Sequence, residues 1–264
     1  MNFNEAASRS FCSTGVVFSE TGSVQNTAAA LWTRSDRPVS ALQMDHKSVI
    51  KFSHCDKDIY CFFVPDQCPE CGMSFSGKRL EEAPVSVPSP FSNGHKEPCS
   101  FLVASGEDGA LRDFDGSSDL HTGITDTNGT VYNYTRCGVQ REQQGWERCL
   151  CVPLVQPDMF SLMSQWDQYL EKFSSAQTWD PSWQSFNEES HNCYSYSLTF
   201  INCVLATQSK RPLSKDEFTR SFVLPRIKRA SKYTTLCREI SQNHFYIVDS
   251  PRRNSREEED SKDH

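Results

Sequence analysis

A mixed α/β (α+β) fold is what this sequence predicts, on three observations. His121-Thr-Gly-Ile-Thr125 and Thr130-Val-Tyr-Asn-Tyr134 are β-prone runs on either side of Asp126-Thr-Asn-Gly129, and an Asn-Gly between such runs marks a hairpin because both residues accept positive φ. From Cys193 to Ala206, the apolar residues Tyr196, Phe200, Ile201, Val204 and Leu205 recur every three to four positions, as a buried helix requires. Ahead of both, Cys68-Pro-Glu-Cys71-Gly72 follows short strand-like runs and has the form of a metal-binding turn.

Taken in order, residues 1–46 are rich in Ser, Thr and Ala with no apolar period, and are expected to form a mobile leader. Val49-Ile-Lys-Phe52 and Tyr60-Cys-Phe-Phe-Val64 read as strands, the second ended by Pro65. With the cysteine turn they make a small β subdomain over 47–105. Pro84, Pro88 and Pro90 exclude helix from the linking stretch that ends at Phe91. The main domain, 106–250, holds the hairpin and a further strand near Arg148–Val152. A helix follows, opened by Pro157 and Asp158, with Met159, Leu162, Met163, Trp166, Tyr169, Leu170 and Phe173 on one face. After the Cys193 helix come another from Leu224 to Ile240, with Pro225 in its first turn, and a strand at Phe245-Tyr-Ile-Val248. The charged tail, 251–264, is expected to be disordered.

The hydrophobic fraction of 37% and mean hydropathy of −0.59 are low for a fully packed chain, as polar ends around a normal domain would give. A net charge of −7 gives no reason to expect nucleic acid or anionic lipid as a partner. Nine basic residues between Lys210 and Arg238 stand against Asp216 and Glu217 alone, and a solvated helix face is the ordinary reason for such a run. No membrane span and no signal peptide are read, so a cytoplasmic or nuclear, non-secreted protein is expected. The twelve cysteines are then expected to serve as metal ligands, nucleophile or buried thiols rather than disulfides. Cys203 and Cys237 read as core thiols. The sequons at Asn128 and Asn133 read as incidental.

Cys193 follows Ser-His-Asn and starts an apolar helix. Unpaired amides and the positive end of the helix dipole favour a thiolate there. His121, on a hairpin strand, is the candidate to take the thiol proton and return it to a leaving group, with the Cys193 amide helping to hold an oxyanion. Asn133 or Tyr134, returning on the partner strand, can orient the imidazole. Asn192 reads as a helix cap, the usual work of a polar side chain at that place.

For metal, Cys68 and Cys71 need a second pair, and Gly94-His95-Lys-Glu-Pro-Cys99 supplies His95 and Cys99, with Cys55 and Cys61 as substitutes if His95 does not bind. Three thiolates and an imidazole close the tetrahedron around zinc, which makes the expected role structural.

His-Thr-Gly-Ile on a strand, then His-Asn-Cys at a helix start, resembles the PPPDE group of permuted papain-fold thiol peptidases, which includes deSUMOylating isopeptidases. The likeness covers about 115–206 and implies a permuted papain-like core. It implies a His121–Cys193 dyad acting on peptide or ubiquitin-like conjugates, and thus a protein partner. The same order resembles, more distantly, the lecithin:retinol acyltransferase group, which implies thiol acyl transfer instead. Tyr194-Ser195-Tyr196 departs from both patterns, which leaves open a third reading: a catalytically inactive papain-fold interaction module. From Ile50 to Val248 the chain resembles the makorin opposite-strand family, through Ile50-Lys-Phe, Leu80-Glu, Asn93-Gly-His95, Ser118-Asp-Leu-His121, Asn128-Gly, Val131-Tyr-Asn-Tyr134, Gln165-Trp-Asp and His191-Asn-Cys-Tyr-Ser-Tyr196. That resemblance implies no particular chemistry.

Overall fold

The computed structural model describes residues 48–76, 80, 82–105 and 119–250. The expected leader, 1–46, and tail, 251–264, lie outside the described residues. The rest is α+β, with two antiparallel sheets and a few helices.

The first sheet has the order β3-β1-β2-β9, from β1 (Val49–His54), β2 (Lys57–Cys61), β3 (Val85–Val87) and β9 (Phe245–Asp249). Strand β2 is therefore shifted from the expected 60–64. Cys55 and Asp56 make the tight β1–β2 turn, with φ of 44° and 60°. β9 returns from the far end of the chain to pair Lys57 with Asp249 and Cys61 with Phe245.

The second sheet has the order β7-β6-β5-β4-β8, from β4 (Ser100–Ser105), β5 (Leu120–Thr125), β6 (Val131–Thr135), β7 (Gly138–Glu142) and β8 (Leu150–Pro153). β4 is buried nearly throughout, as suits an interior strand with covered faces, and its Phe101-Leu-Val-Ala104 is a continuous apolar run. The β5–β6 turn forms as the Asn-Gly implies. Asp126 Oδ1 accepts from the amides of Asn128 and Thr130. Gly129 takes φ +85° so close to the His95 carbonyl that a Cβ would stand 2.1 Å from it.

Helix α1 (Phe160–Ser174) starts later than Pro157, on Met159 with no side-chain cap. Its Trp166 and Leu170 are fully buried, and the Trp166 indole donates to the Thr125 carbonyl at 2.8 Å. Helix α2 (Cys193–Thr207) is capped by Asn192 in a reciprocal box with Ser195, which satisfies first-turn amides. Its Tyr196, Phe200 and Val204 enter one core with Phe101, Ile124, Tyr134, Leu150 and Trp166. Contrary to expectation Cys203 is exposed: it falls between the buried Phe200–Ile201 and Val204 steps of the helix, on the outward side.

Helix α3 (Lys215–Phe218) continues through a π-helical turn (Thr219–Val223) into α4 (Leu224–Asn243), where Pro225 opens the first turn. Proline brings no amide to the ladder, and the wider π turn lies just before it. α4 serves both sheets. Ile227 and Ala230 join the large core, while Cys237 and Ile240 pack on Val49 of β1. Several of the nine basic residues have local structural work: Arg226 donates to the carbonyls of Cys151 and Phe222, Arg211 pairs with Glu217, and Lys215 lies over the Tyr194 ring.

Candidate functional site

Cys193 begins α2, and His121 stands on β5 just before that strand's pairing with β6 begins at Gly123. The two side chains are close enough to act on each other's titration. The first turn of α2 is tied to β5 by Thr122 Oγ1, 3.3 Å from Ser197 Oγ, while Ser197 also donates to the Cys193 carbonyl at 3.0 Å.

The imidazole is oriented from its other side. His121 Nε2 donates to Asn133 Oδ1 at 2.9 Å, which leaves Nδ1 for the thiol proton. Asn133 Nδ2 donates to Glu142 Oε2 at 2.9 Å, and the Trp146 indole donates to that same oxygen at 2.7 Å. The Trp146 ring lies 5.7 Å from the His121 ring, tilted by 35°. Gly123 makes room for it, since a Cβ there would stand 3.2 Å from the indole and 2.6 Å from Val131. Tyr134, the other candidate for orienting the imidazole, faces the large core and donates to the Gln184 carbonyl.

Burial by itself would push the Cys193 thiol up. The bond to His121, the imidazolium charge and the Thr122 side chain and amide outweigh it and hold the thiol below its ordinary value. Burial would likewise pull His121 down, but the Cys193 bond and charge, then Asn133 and Glu142, raise it. Both directions favour a thiolate beside an imidazolium, a pair suited to attack on a carbonyl. Cys193 retains 8% of its surface, so access to the sulfur is narrow. A surface depression lined by Arg136, Ser185, Phe186 and Glu188 does not include the pair. Of the nearby tryptophans, Trp179 is buried and stacks on His191 at 4.8 Å, and Trp183 is 67% exposed.

A second cluster lies at the first sheet. His54, Cys55, Cys68 and Cys71 place their ligand atoms within 4.8 Å of one another, a group that could hold a metal ion. Cys68 and Cys71 are thus joined by His54 and Cys55 from the β1–β2 turn rather than by His95 and Cys99. His95 is engaged elsewhere: Nδ1 donates to the Gly129 carbonyl at 2.7 Å, and Nε2 accepts from the Trp146 amide at 3.3 Å. Cys99 is buried, and burial, with Asp167 and Asp126 adding to it, pushes its thiol up to about 12. Cys61 packs in the small core of the first sheet. The sequence reading missed Glu142, Trp146 and His54. Glu142 could have been found as the carboxylate on the strand beyond Asn133.

Residues 84–240 match the family described as DUF4796 C-terminal, and residues 47–75 that described as DUF4796 N-terminal. The chain belongs to the DUF4796 family. Within it, the chain is similar to MKRN2 opposite strand protein of Homo sapiens, with 51% identity over 205 residues, covering 78% of this chain and 91% of that protein. The expected makorin opposite-strand relationship is therefore correct. No solved structure matches. Among the described residues, no helix is long and apolar enough to cross a membrane.

Proposed function

We propose that this DUF4796 chain is a thiol hydrolase with a permuted papain-like core built on the second sheet and α2, acting on an extended peptide or a ubiquitin-like conjugate. The observation that carries the reading is the pairing of His121 with Asn133: Nε2 is held by the amide, which leaves Nδ1 as the basic ring nitrogen, and the imidazole and the Cys193 thiol act on each other's titration. An antiparallel sheet bearing the imidazole and amide, with the thiol at the start of the helix lying on it, also supports the papain-like comparison.

In this reading the Cys193 thiolate attacks the carbonyl carbon. The Cys193 amide at the helix start supports the oxyanion, and the His121 imidazolium gives its proton to the departing amine as the C–N bond breaks. Water, deprotonated by His121, then cleaves the thioester and restores the thiol. Asn133 is a positioning residue, and Trp146, whose ring lies beside the His121 imidazole, donates to the same Glu142 oxygen that holds the Asn133 amide. Every described cysteine is unpaired, which supports a reducing, cytoplasmic or nuclear setting. The near-enclosure of Cys193 favours one rival, a papain-fold interaction module without turnover.

Labelling of the native chain by a ubiquitin-like vinyl sulfone and by a small thiol probe decides between them. Selective labelling of Cys193 that is lost in His121→Ala is expected. Labelling of Cys193 no faster than that of exposed Cys137 or Cys203 would leave only the interaction module.

A further inference from the structure

We propose that His54, Cys55, Cys68 and Cys71 form a structural zinc site that locks the β1–β2 turn to the Cys68–Gly72 turn. Zinc bonds of about 2.3 Å to sulfur and about 2.0 Å to nitrogen, arranged tetrahedrally, require edges of about 3.8 Å between sulfurs and about 3.5 Å between sulfur and nitrogen. Cys55 Sγ lies 3.8 Å from Cys68 Sγ, and Cys71 Sγ lies 3.5 Å from His54 Nδ1. These two opposite edges of a tetrahedron have the separations that zinc imposes. A disulfide, by contrast, needs sulfurs about 2.05 Å apart.

The backbone supports the same ligand. Cys55 and Asp56 occupy the two left-handed positions of a two-residue hairpin turn, where Asn-Gly would be the unstrained choice. A cysteine in that conformation costs stability, a cost that a bond from its sulfur to a metal would offset. Cys68 and Cys71 sit in a compact turn: the Gly72 amide donates to the Cys68 carbonyl at 2.9 Å, the Cys68 amide donates to the Met73 carbonyl at 2.8 Å, and Gly72 takes φ +73°. Phe75 meets the His54 ring edge-on at 5.2 Å and fixes its direction.

Three thiolates and a neutral imidazole favour zinc over a hard cation, and four protein ligands leave no position for a reacting water. Each thiol gives up its proton as it binds. The small apolar cluster beside the site, centred on Phe52, Ile59, Cys61 and Cys68, is what the metal would consolidate.

The test is elemental analysis of the purified full chain, together with cobalt(II) added to the reduced, metal-stripped chain. One zinc per chain and the intense visible bands of tetrahedral cobbalt thiolate are expected in the wild type. Both should be lost in Cys71→Ser and His54→Ala and kept in His95→Ala and Cys99→Ser. No zinc on isolation and no tetrahedral cobalt spectrum in the wild type would overturn the site, independently of whether any variant folds. Retention of the bands in Cys71→Ser would overturn this ligand set.

Discussion

The two sheets use cysteine in opposite ways. In the first, three thiols and an imidazole converge on one point; in the second, one thiol has an imidazole to itself, with an amide and a carboxylate behind it. A group of thiolates repels itself and calls for a cation, whereas a single thiolate is balanced by imidazolium and remains available to an electrophile. The difference teaches that the number of thiols around a histidine, more than cysteine's presence, decides which chemistry the structure can support.

Removing the proposed zinc is the most severe way to break this comparison, because a structural zinc commits on the order of 10 kcal/mol of binding free energy. Chelation is expected to raise amide hydrogen exchange across Val49–Cys61 and Phe245–Asp249 while β5 and β6 keep their protection; equal loosening of both sheets would erase the distinction. Next, His121→Ala should slow alkylation of Cys193 at neutral pH by about tenfold or more, since an ordinary thiol near pKa ~8.5 is only a few per cent ionised there. In the wild type the rate should persist below that pKa. In the variant its pH profile should move upward, with Asn133→Ala falling between the two, and coincident profiles would remove the imidazole from the chemistry.

A milder probe is Gly123→Ala, whose Cβ would press on Val131 and the Trp146 indole. A loss of about 1–3 kcal/mol is expected from overpacking, read by denaturant unfolding together with slower Cys193 labelling; a stable variant with unchanged labelling would mean that the packing of Trp146 beside His121 does not matter to the thiol. The smallest effect concerns Glu171, held down to about 2 by its bond to Arg141, with Ser175 and Tyr132 also lowering it. A depressed carboxylate stabilises the fold above its ordinary value, and the gain is lost as pH falls through the folded value. The pair is half-exposed, so Arg141→Ala should cost only about 0.5 kcal/mol at neutral pH, with the difference vanishing toward pH 2. A pH-independent cost would assign it to packing on Tyr132 instead.

Much of the second sheet's site was legible because local signals carry it. The Asn-Gly turn sets β5 against β6, and the apolar period from Cys193 onward sets α2 with Asn192 as its cap. Choosing Asn133 over Tyr134 needed the register, in which Asn133 pairs with Gly123 and so falls on the strand face that alternates with Tyr134's. The cluster of His54, Cys55, Cys68 and Cys71 was half legible. Cys68-x-x-Cys71 is a turn motif visible in one dimension, but His54 and Cys55 reach it only through the hairpin fold, and nothing in their spacing points to Cys68. His95 misled because His-x3-Cys is a ligand spacing, while its ring serves the Gly129 turn and the Trp146 amide. β4, an apolar run with no alternation, and β7, polar at an edge, gave no periodic signal.

The return of β9 to the edge of β2 also fixes an order in time. Residues of β1 and β2 leave the ribosome early, yet their sheet lacks its last strand until Phe245–Asp249 has been made, nearly two hundred residues later. Contacts this distant in sequence are slow to form because a long loop must close first. The first sheet is thus expected to be the last part of the fold to be completed. Until then β2 presents an unpaired edge, and a metal gripping the β1–β2 turn would hold the hairpin in register through that interval.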